Sequence, residues 1–482
     1  FHAGSWAGTT YDTGTGKERW GFVPPNLLPK LQDMVSEHTF YVDSPPKAAD
    51  VWLDGVSNDG SPVILNNVKN PFGKEWHTVI ITGERRGGDA YFALDVTDPG
   101  TAASPNPPKY LWTFTDINLG PTWSRPAIGK VKLNMDLGAT NCKQLEDQGL
   151  TSTSCAERWV AFVGGGYLPS TDTSSIAKAF FVIDINTGAK LWEYTVVDDS
   201  SMGRIPASPT LADTNGDGFV DRAYVGDVSG NIWRFDFQEY GITSGPGTLV
   251  TSGWMASKLF QAESGQPFYE QLAVAADLTG TLYVYGGTGD LNDVLDPSSV
   301  DRFYAVQEHY PKATGTLPGP PDIPKVYKDK DLADTTGLNT LNVNDPAFSG
   351  KVGWYLTLPA GEKVLADPEI FAGVLLFTSF YPTQGTCTAK GGNTTLYALS
   401  YLTGGGASDY TDYTKGLVGN KVAASFGGLS SGPKISLPGI TATGASTGGD
   451  VVLFVCTSGE VCGNPPAPQP GSLRTIDYWR DL

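Results

Sequence analysis

The sequence predicts an all-β fold, a modified seven-bladed β-propeller with loop insertions, and three observations predict it. A phrase consisting of an aromatic-rich strand, a tight turn and an apolar-Trp-x-aromatic strand recurs along the chain. Turn formers are dense, with 59 glycines and 34 prolines in 482 residues, while helical periodicity is confined to short stretches. A chain of this length also exceeds what one continuous core holds, so it needs several domains or one repetitive architecture. The recurrence selects the second.

The phrase appears as TTYDTGTGKERWGF (9–22), AYFALDVTDP with YLWTF (90–114) and AFFVIDINTGAKLWEYT (179–195). Shorter copies are GNIWRFDF (230–237), DRFYAVQE (301–308) and TLYALSYLTGG (395–405). Each reads as a hairpin whose turn comes from Thr-Gly, Asp-Pro or a similar breaker. Before most copies runs a Val/Ile/Phe-rich strand, most ending in glycine: HTVIITG, RWVAFVGGGY, DRAYVGDVSG, TLYVYGGTGD and GVLLFTSF, with DVVLFVC before the C-terminal RTIDYWRDL. The hairpins count to about seven four-stranded units, none able to bury both of its faces alone. Trp20, Trp112, Trp192 and Trp233 recur at one place in the hairpin, which reads as packing between blades.

The hairpin at 1–22 lacks a preceding strand and is expected to close the ring with the strands at 450–482, removing two exposed sheet edges. Residues 1–482 are thus read as one propeller domain. Because the chain opens in mid-pattern, a longer polypeptide is expected, of which this is the C-terminal part. Pro25 to Glu37, with Leu27, Leu28, Leu31 and Met34, reads as a short helix. The insertions are 135–157 and 310–350, and the proline-stiffened GNPPAPQPGS (463–472) reads as an extended connector.

The most chemically specific stretch is DTNGDGFVD (213–221). It sets oxygen-bearing side chains at loop positions 1, 3, 5 and 9, namely Asp213, Asn215, Asp217 and Asp221, with the backbone carbonyl of Phe219 at position 7. A calcium ion takes about six to eight hard oxygens, and alternate residues of a curled loop supply them. Gly218 stands where the chain must turn sharply. The carboxylate at position 9, and the strand-turn-strand that follows, separate this loop from a helix-flanked one.

A formal charge of −18 with no basic cluster longer than Arg85-Arg86 argues against nucleic acid. The longest apolar run, 370–377, is too short to cross a bilayer, so no transmembrane segment is expected. The five cysteines fit no haem or zinc spacing. His2, His38, His77 and His309 stand in no nucleophile or metal motif, and His77 reads as a structural hydrogen-bonding residue. Asp290, Asp293, Asp296 and Asp301 fit no defined ion loop and read as a solvated insertion. A Trp-rich propeller raises the alternative of a periplasmic quinone-dependent dehydrogenase or sugar-active enzyme. Against it, the calcium loop is filled by its own consecutive residues and no adjacent cysteine pair exists. The chain is therefore read as non-enzymatic.

GKERWGFVPPNLLPKL, YFALDVTDP, LGPTWSRPAIGKV, DTNGDGFVDRAYVGDVSGNIWRFDF, GWYLTLPAGEKVL and TLYALSYLTGG occur here in that order. In these phrases, which extend to about Gly405, the chain resembles the C-terminal β-propeller domain of the PilY1/PilC-type type IV pilus biogenesis factors and tip adhesins. The resemblance implies export through the periplasm to the cell surface and pilus tip. It also implies a calcium loop that governs pilus extension against retraction, with ligands at Asp213, Asn215, Asp217, the Phe219 carbonyl and Asp221. The partners implied are minor pilins of the tip complex and a host or surface receptor. An Arg-Gly-Asp tripeptide, found in some members, is absent, since RRGGD at 85–89 carries an extra glycine.

Cys142 and Cys155 are expected to be bonded to each other, because the polar insertion between them has little apolar content to order it. Such a closure contributes about 3 kcal/mol in the chain-entropy model. Cys387, Cys456 and Cys462 then share one bond at most. Peptide mapping without reduction should recover the linked pair, and free alkylated Cys142 would refute it.

Overall fold

The computed structural model describes residues 18–36, 38–52, 76–100, 104, 106–134, 155–216, 218–237, 254–263, 266–308, 326–383, 391–407, 419–429, 431–436 and 452–455. The chain divides into two compact units, Phe1–Asp198 with Gly241–Gly253, and Asp199–Tyr240 with Trp254–Leu482. Both are built of antiparallel sheets, as the recurrence predicts.

In the first unit, β1 (Lys47–Trp52), β2 (Trp76–Gly83), β3 (Tyr91–Asp95) and β4 (Lys109–Phe114) form one meander. A second is formed by β5 (Ala127–Asn134), β6 (Cys155–Gly164), β7 (Ala179–Asp184) and β8 (Lys190–Thr195). In the second unit, β9 (Thr210–Ala212), β10 (Arg222–Gly226), β11 (Asn231–Asp236) and β12 (Met255–Gln261) form the third sheet. The fourth runs β13 (Ala273–Ala276), β14 (Leu282–Gly287), β15 (Arg302–Gln307) and, beyond β16 (Ala333–Asp334), β17 (Gly353–Thr357), with β16 parallel to β17 at the edge. The fifth holds β18 (Lys363–Val364), β19 (Glu369–Phe371), β20 (Val374–Pro382), β21 (Gly392–Ser400) and β22 (Val422–Gly427), where β18 and β19 both pair with β20. A last pair is β23 (Lys434–Ser436) and β24 (Val452–Phe454).

The apolar strands read from the sequence are the second and third of the five larger sheets, and DVVLFVC falls on β24 of the last pair. Buried on both faces, they need no alternation and read as continuous apolar runs. All six residues of β7 and all six of β11 are buried. Within each unit the cores lie between consecutive sheets. Val79, Ile81 and Phe114 meet Ala161, Val163 and Phe181 in the first unit. In the second, Ile232 and Phe260 meet Val284 and Tyr304, and Phe303 and Trp354 meet Phe377 and Tyr397.

An indole pins one sheet to the next. Trp112 on β4 donates its Nε1–H to the carbonyl of Ile185, 2.7 Å away in the turn after β7, and lies flat on that turn at Gly188. Trp354 on β17 repeats this, donating to the Tyr401 carbonyl at 3.1 Å and covering Gly404 in the turn after β21. The shared sequence position read for Trp233 does not hold. Trp233 lies on a third strand, β11, and donates instead to Asp227 at 2.7 Å. Trp192 on β8 is half-buried and stacks on Tyr194.

The stretch read as a short helix is a 3₁₀ helix, Pro25–Val35. Its tighter coil, with Pro29 inside, buries Leu27 and leaves Leu28 and Met34 exposed. Of the hairpin at 1–22, Phe22 packs on Phe92 and Tyr110, with ring centroids at 5.5 and 6.0 Å. The expected closure with 450–482, the Cys142–Cys155 bond and the connector at 463–472 lie outside the described residues. His77 has the structural role read for it, hydrogen-bonded through Nδ1 to Asp95 at 2.8 Å.

The indole contact makes Gly404 sensitive twice over. Its φ is +65°, and a Cβ there would sit 2.7 Å from the Trp354 ring. Gly404→Ala should therefore cost about 3 kcal/mol, from left-handed strain plus overpacking. Gly350→Ala, at φ +69° with open space around it, should cost only about 1 kcal/mol. Denaturant midpoints of the two variants check this.

Candidate metal centre

The loop 213–221 joins β9 to β10. The hairpin register pairs Ala212 with Arg222, so the nine loop residues leave and re-enter the sheet at one rung. The Asp221 N–H closes the base by donating to the Ala212 carbonyl at 3.0 Å. Gly216 and Gly218 both take positive φ, +79° and +81°, which gives the reversal its curl.

Two carboxylates organise the loop. Asp213 Oδ1 accepts the N–H of Asn215 at 3.2 Å and of Gly216 at 2.6 Å, and Oδ2 accepts that of Gly218 at 2.7 Å. At the other end, Asp221 Oδ2 accepts both the N–H and the hydroxyl of Thr214, each at 2.7 Å. Asn215 Nδ2 reaches Asp221 Oδ1 at 3.4 Å. Asp221 is buried, and the buried Phe219 ring anchors the return of the loop.

Of the residues read as ligands, the structure thus gathers Asp213, Asn215 and Asp221, and seats Phe219 beside them. Asp217 lies outside the described residues. Among the described residues no group of three or more His, Cys, Asp or Glu is placed to hold a metal. Asp290 and Asp296 instead each cap a local turn, accepting the N–H of Asn292 and of Ser298 at 2.8 Å. The donor set of the 213–221 loop, carboxylate and amide oxygens without sulfur or imidazole, fits a hard cation. Thr214 was not read from the sequence. Its signal was the hydroxyl at loop position 2, which ties the two ends of the loop together.

The strand leaving the loop leads directly into a buried ionic network. Arg222 donates to Asp236 at 3.2 Å, and Arg234 to the same carboxylate at 2.7 Å. Arg234 also reaches Glu308 at 2.8 Å, and the Tyr224 hydroxyl donates to Glu308 at 2.6 Å. All five groups are buried. Burial pushes the Glu308 carboxyl up, but Arg234 and Arg222 together with the Tyr224 hydroxyl outweigh it and hold it below the usual 4.5. The cue in the sequence was charge inside otherwise apolar strands, Arg222 in RAYVG and Arg234 with Asp236 in NIWRFD.

A model of the PilY1 β-propeller domain matches residues 49–283. The type IV pilus biogenesis factor PilY1 of Pseudomonas aeruginosa strain PAO1 is 26% identical over 98% of this chain. The chain spans 40% of the length of that relative. A PilY1 homolog of Xylella fastidiosa is 25% identical over 81% of the chain and 25% of its own length. Among solved structures, the crystal structure of the P. aeruginosa PilY1 C-terminal domain superposes with a TM-score of 0.61 at 24% identity, covering 94% of this chain and 89% of that one. That likeness concerns the fold, a β-propeller.

The ionic network carries a test. A carboxyl whose folded-state pKa lies below its unfolded value adds stability that is complete above the unfolded value and lost as pH falls through the folded one. Glu308→Gln should therefore cost about 3 kcal/mol at neutral pH, by leaving Arg234 short of a buried partner. The difference from wild type should shrink as pH falls below 4.5. Urea denaturation across that range measures both effects.

Proposed function

We propose that this chain belongs to the PilY1 β-propeller family and serves a type IV pilus at the cell surface as a calcium-controlled, non-enzymatic module. In this reading it sits at the pilus tip with minor pilins, and the 213–221 loop biases the pilus between extension and retraction. A host or surface receptor is a further partner. The names of the relatives support the pilus assignment.

The observation that supports the calcium reading is the gathering of Asp213, Asn215 and Asp221 in one connection, each engaged in hydrogen bonds within the loop itself. Without a cation, backbone N–H groups and the Thr214 hydroxyl balance the two carboxylates. Asn215 directs Nδ2 at Asp221, so its amide turns over to offer Oδ1 when the ion binds. Asp217 and the Phe219 carbonyl would complete the oxygen set. An extracellular site of this charge has a dissociation constant of about 10⁻⁶ to 10⁻³ M. At a hundredfold excess over that constant the ion adds about 2.7 kcal/mol to the state that binds it. That biases a loop but is small beside the packed sheets.

Asp221→Ala should abolish calcium binding in calorimetry, leave the β-sheet circular dichroism intact and alter pilus number or twitching more than protein abundance. Thr214→Val, which removes a donor but no proposed ligand, should keep binding. Unchanged affinity in Asp221→Ala would overturn the site. Absence of the chain from sheared pili in a pull-down with minor pilins would overturn the location.

A further inference from the structure

We propose that a cleft on the fifth sheet is a carbohydrate-binding site for a single uncharged pyranose ring. It stands on this sheet alone and does not depend on the calcium loop. The cleft measures about 510 Å³, within the usual range for small-molecule sites. Its floor is set by register. Ser379 on β20 lies opposite Thr395 on β21, which lies opposite Ser425 on β22; two rungs along, Tyr381 lies opposite Asn393 and Asn393 opposite Gly427. Because strand residues two apart share a face, hydroxyls, an amide and a phenol ring line up on one side.

Glu362, in the turn before β18, completes the site. Its Oε2 accepts the Ser379 hydroxyl at 2.5 Å and the Tyr397 hydroxyl at 2.9 Å. Among the described residues Oε1 takes no hydrogen bond, and the side chain is only half-buried. The support behind it is rigid. Tyr397 stacks on Phe377 with centroids 4.8 Å apart and planes within 2°, and Phe377 stacks on Phe303 at 4.1 Å. Tyr381 is 39% exposed, yet its ring is backed by the main chain, since a Cβ on Gly361 would come within 2.9 Å of it.

A pyranose presents an apolar C–H face and pairs of adjacent hydroxyls. An exposed, fixed aromatic ring suits the first, and a carboxylate oxygen flanked by amide and hydroxyl groups suits the second. Other ligand classes fit less well. A hard cation needs several anionic oxygens, and among the described residues Glu362 is the one carboxylate in the lining. An anionic sugar or phosphate needs a cation, yet among the described residues no Lys or Arg lines the cleft, and the chain carries a net charge of −18. A lipid needs an apolar wall, and most of the lining is polar.

Saturation-transfer NMR on the full chain tests this, with the methyl glycosides of galactose, glucose, mannose and N-acetylglucosamine, and with N-acetylneuraminic acid as the charged probe, in calcium and in chelator. At least one neutral glycoside should take saturation in both conditions. Tyr381→Ala should weaken its binding about tenfold, whereas Tyr381→Phe, which keeps the ring, should retain it. Asn393→Ala, at an exposed position, should weaken it as well. No signal from any neutral glycoside, signal from the charged probe alone, or signal unchanged in Tyr381→Ala and Asn393→Ala would each overturn the proposal. Neutral binding that persists in chelator would also leave it standing if the calcium reading fails.

Discussion

Each sheet in this protein has two faces to bury and only its neighbours to bury them against, and everything else follows from that constraint. It makes the middle strands apolar on both sides and puts the cores between sheets instead of inside them. It also calls for a device to hold neighbouring sheets at one spacing. The Trp112 and Trp354 indoles do this by combining a flat contact on a turn with one directed hydrogen bond. Hydrophobic burial alone has no direction; the indole N–H supplies it.

The same constraint explains why charge is confined to a few interior places. β11 is buried along its whole length yet carries Arg234 and Asp236, and these are tolerable only because Arg222, Glu308 and Tyr224 surround them. The network links the third sheet to the fourth and starts one residue after Asp221. The chemistry of the loop is therefore mounted on a base held by buried ion pairs. On the fifth sheet the pattern is similar, since the half-buried Glu362 is bonded to Tyr397, whose ring belongs to a stack running into the core.

Legibility in the sequence follows contact range. The second and third strands of the five larger sheets announced themselves as apolar runs, and β3 with β4 and β7 with β8 as hairpins. Three of the first strands did not: β9 has three residues, β13 reads AVAA and β18 has two, too short for any period to emerge. The loop at 213–221 was legible because the oxygen-bearing residues read as ligands all fall within nine positions. The Arg234–Glu308 pair spans 74 positions and the fifth-sheet cleft draws on three strands and a turn, so neither leaves a local signature. Trp233 was misplaced because a strand-borne Trp before an aromatic residue looks alike on a third or a fourth strand.

The two indole contacts each join one sheet only to the next one, and their cost in chain closure is set by the chain between those two sheets and nothing further away. Closure entropy rises with the logarithm of loop length, about 0.6 kcal/mol for each doubling. Long connections such as 135–154 and 309–325 are thus thermodynamically cheap to gain, lose or rewrite. A one-residue slip within β7 or β11, in contrast, would swap every buried side chain to the other face. Such a molecule can vary widely in what it displays at its connections while its sheets stay fixed.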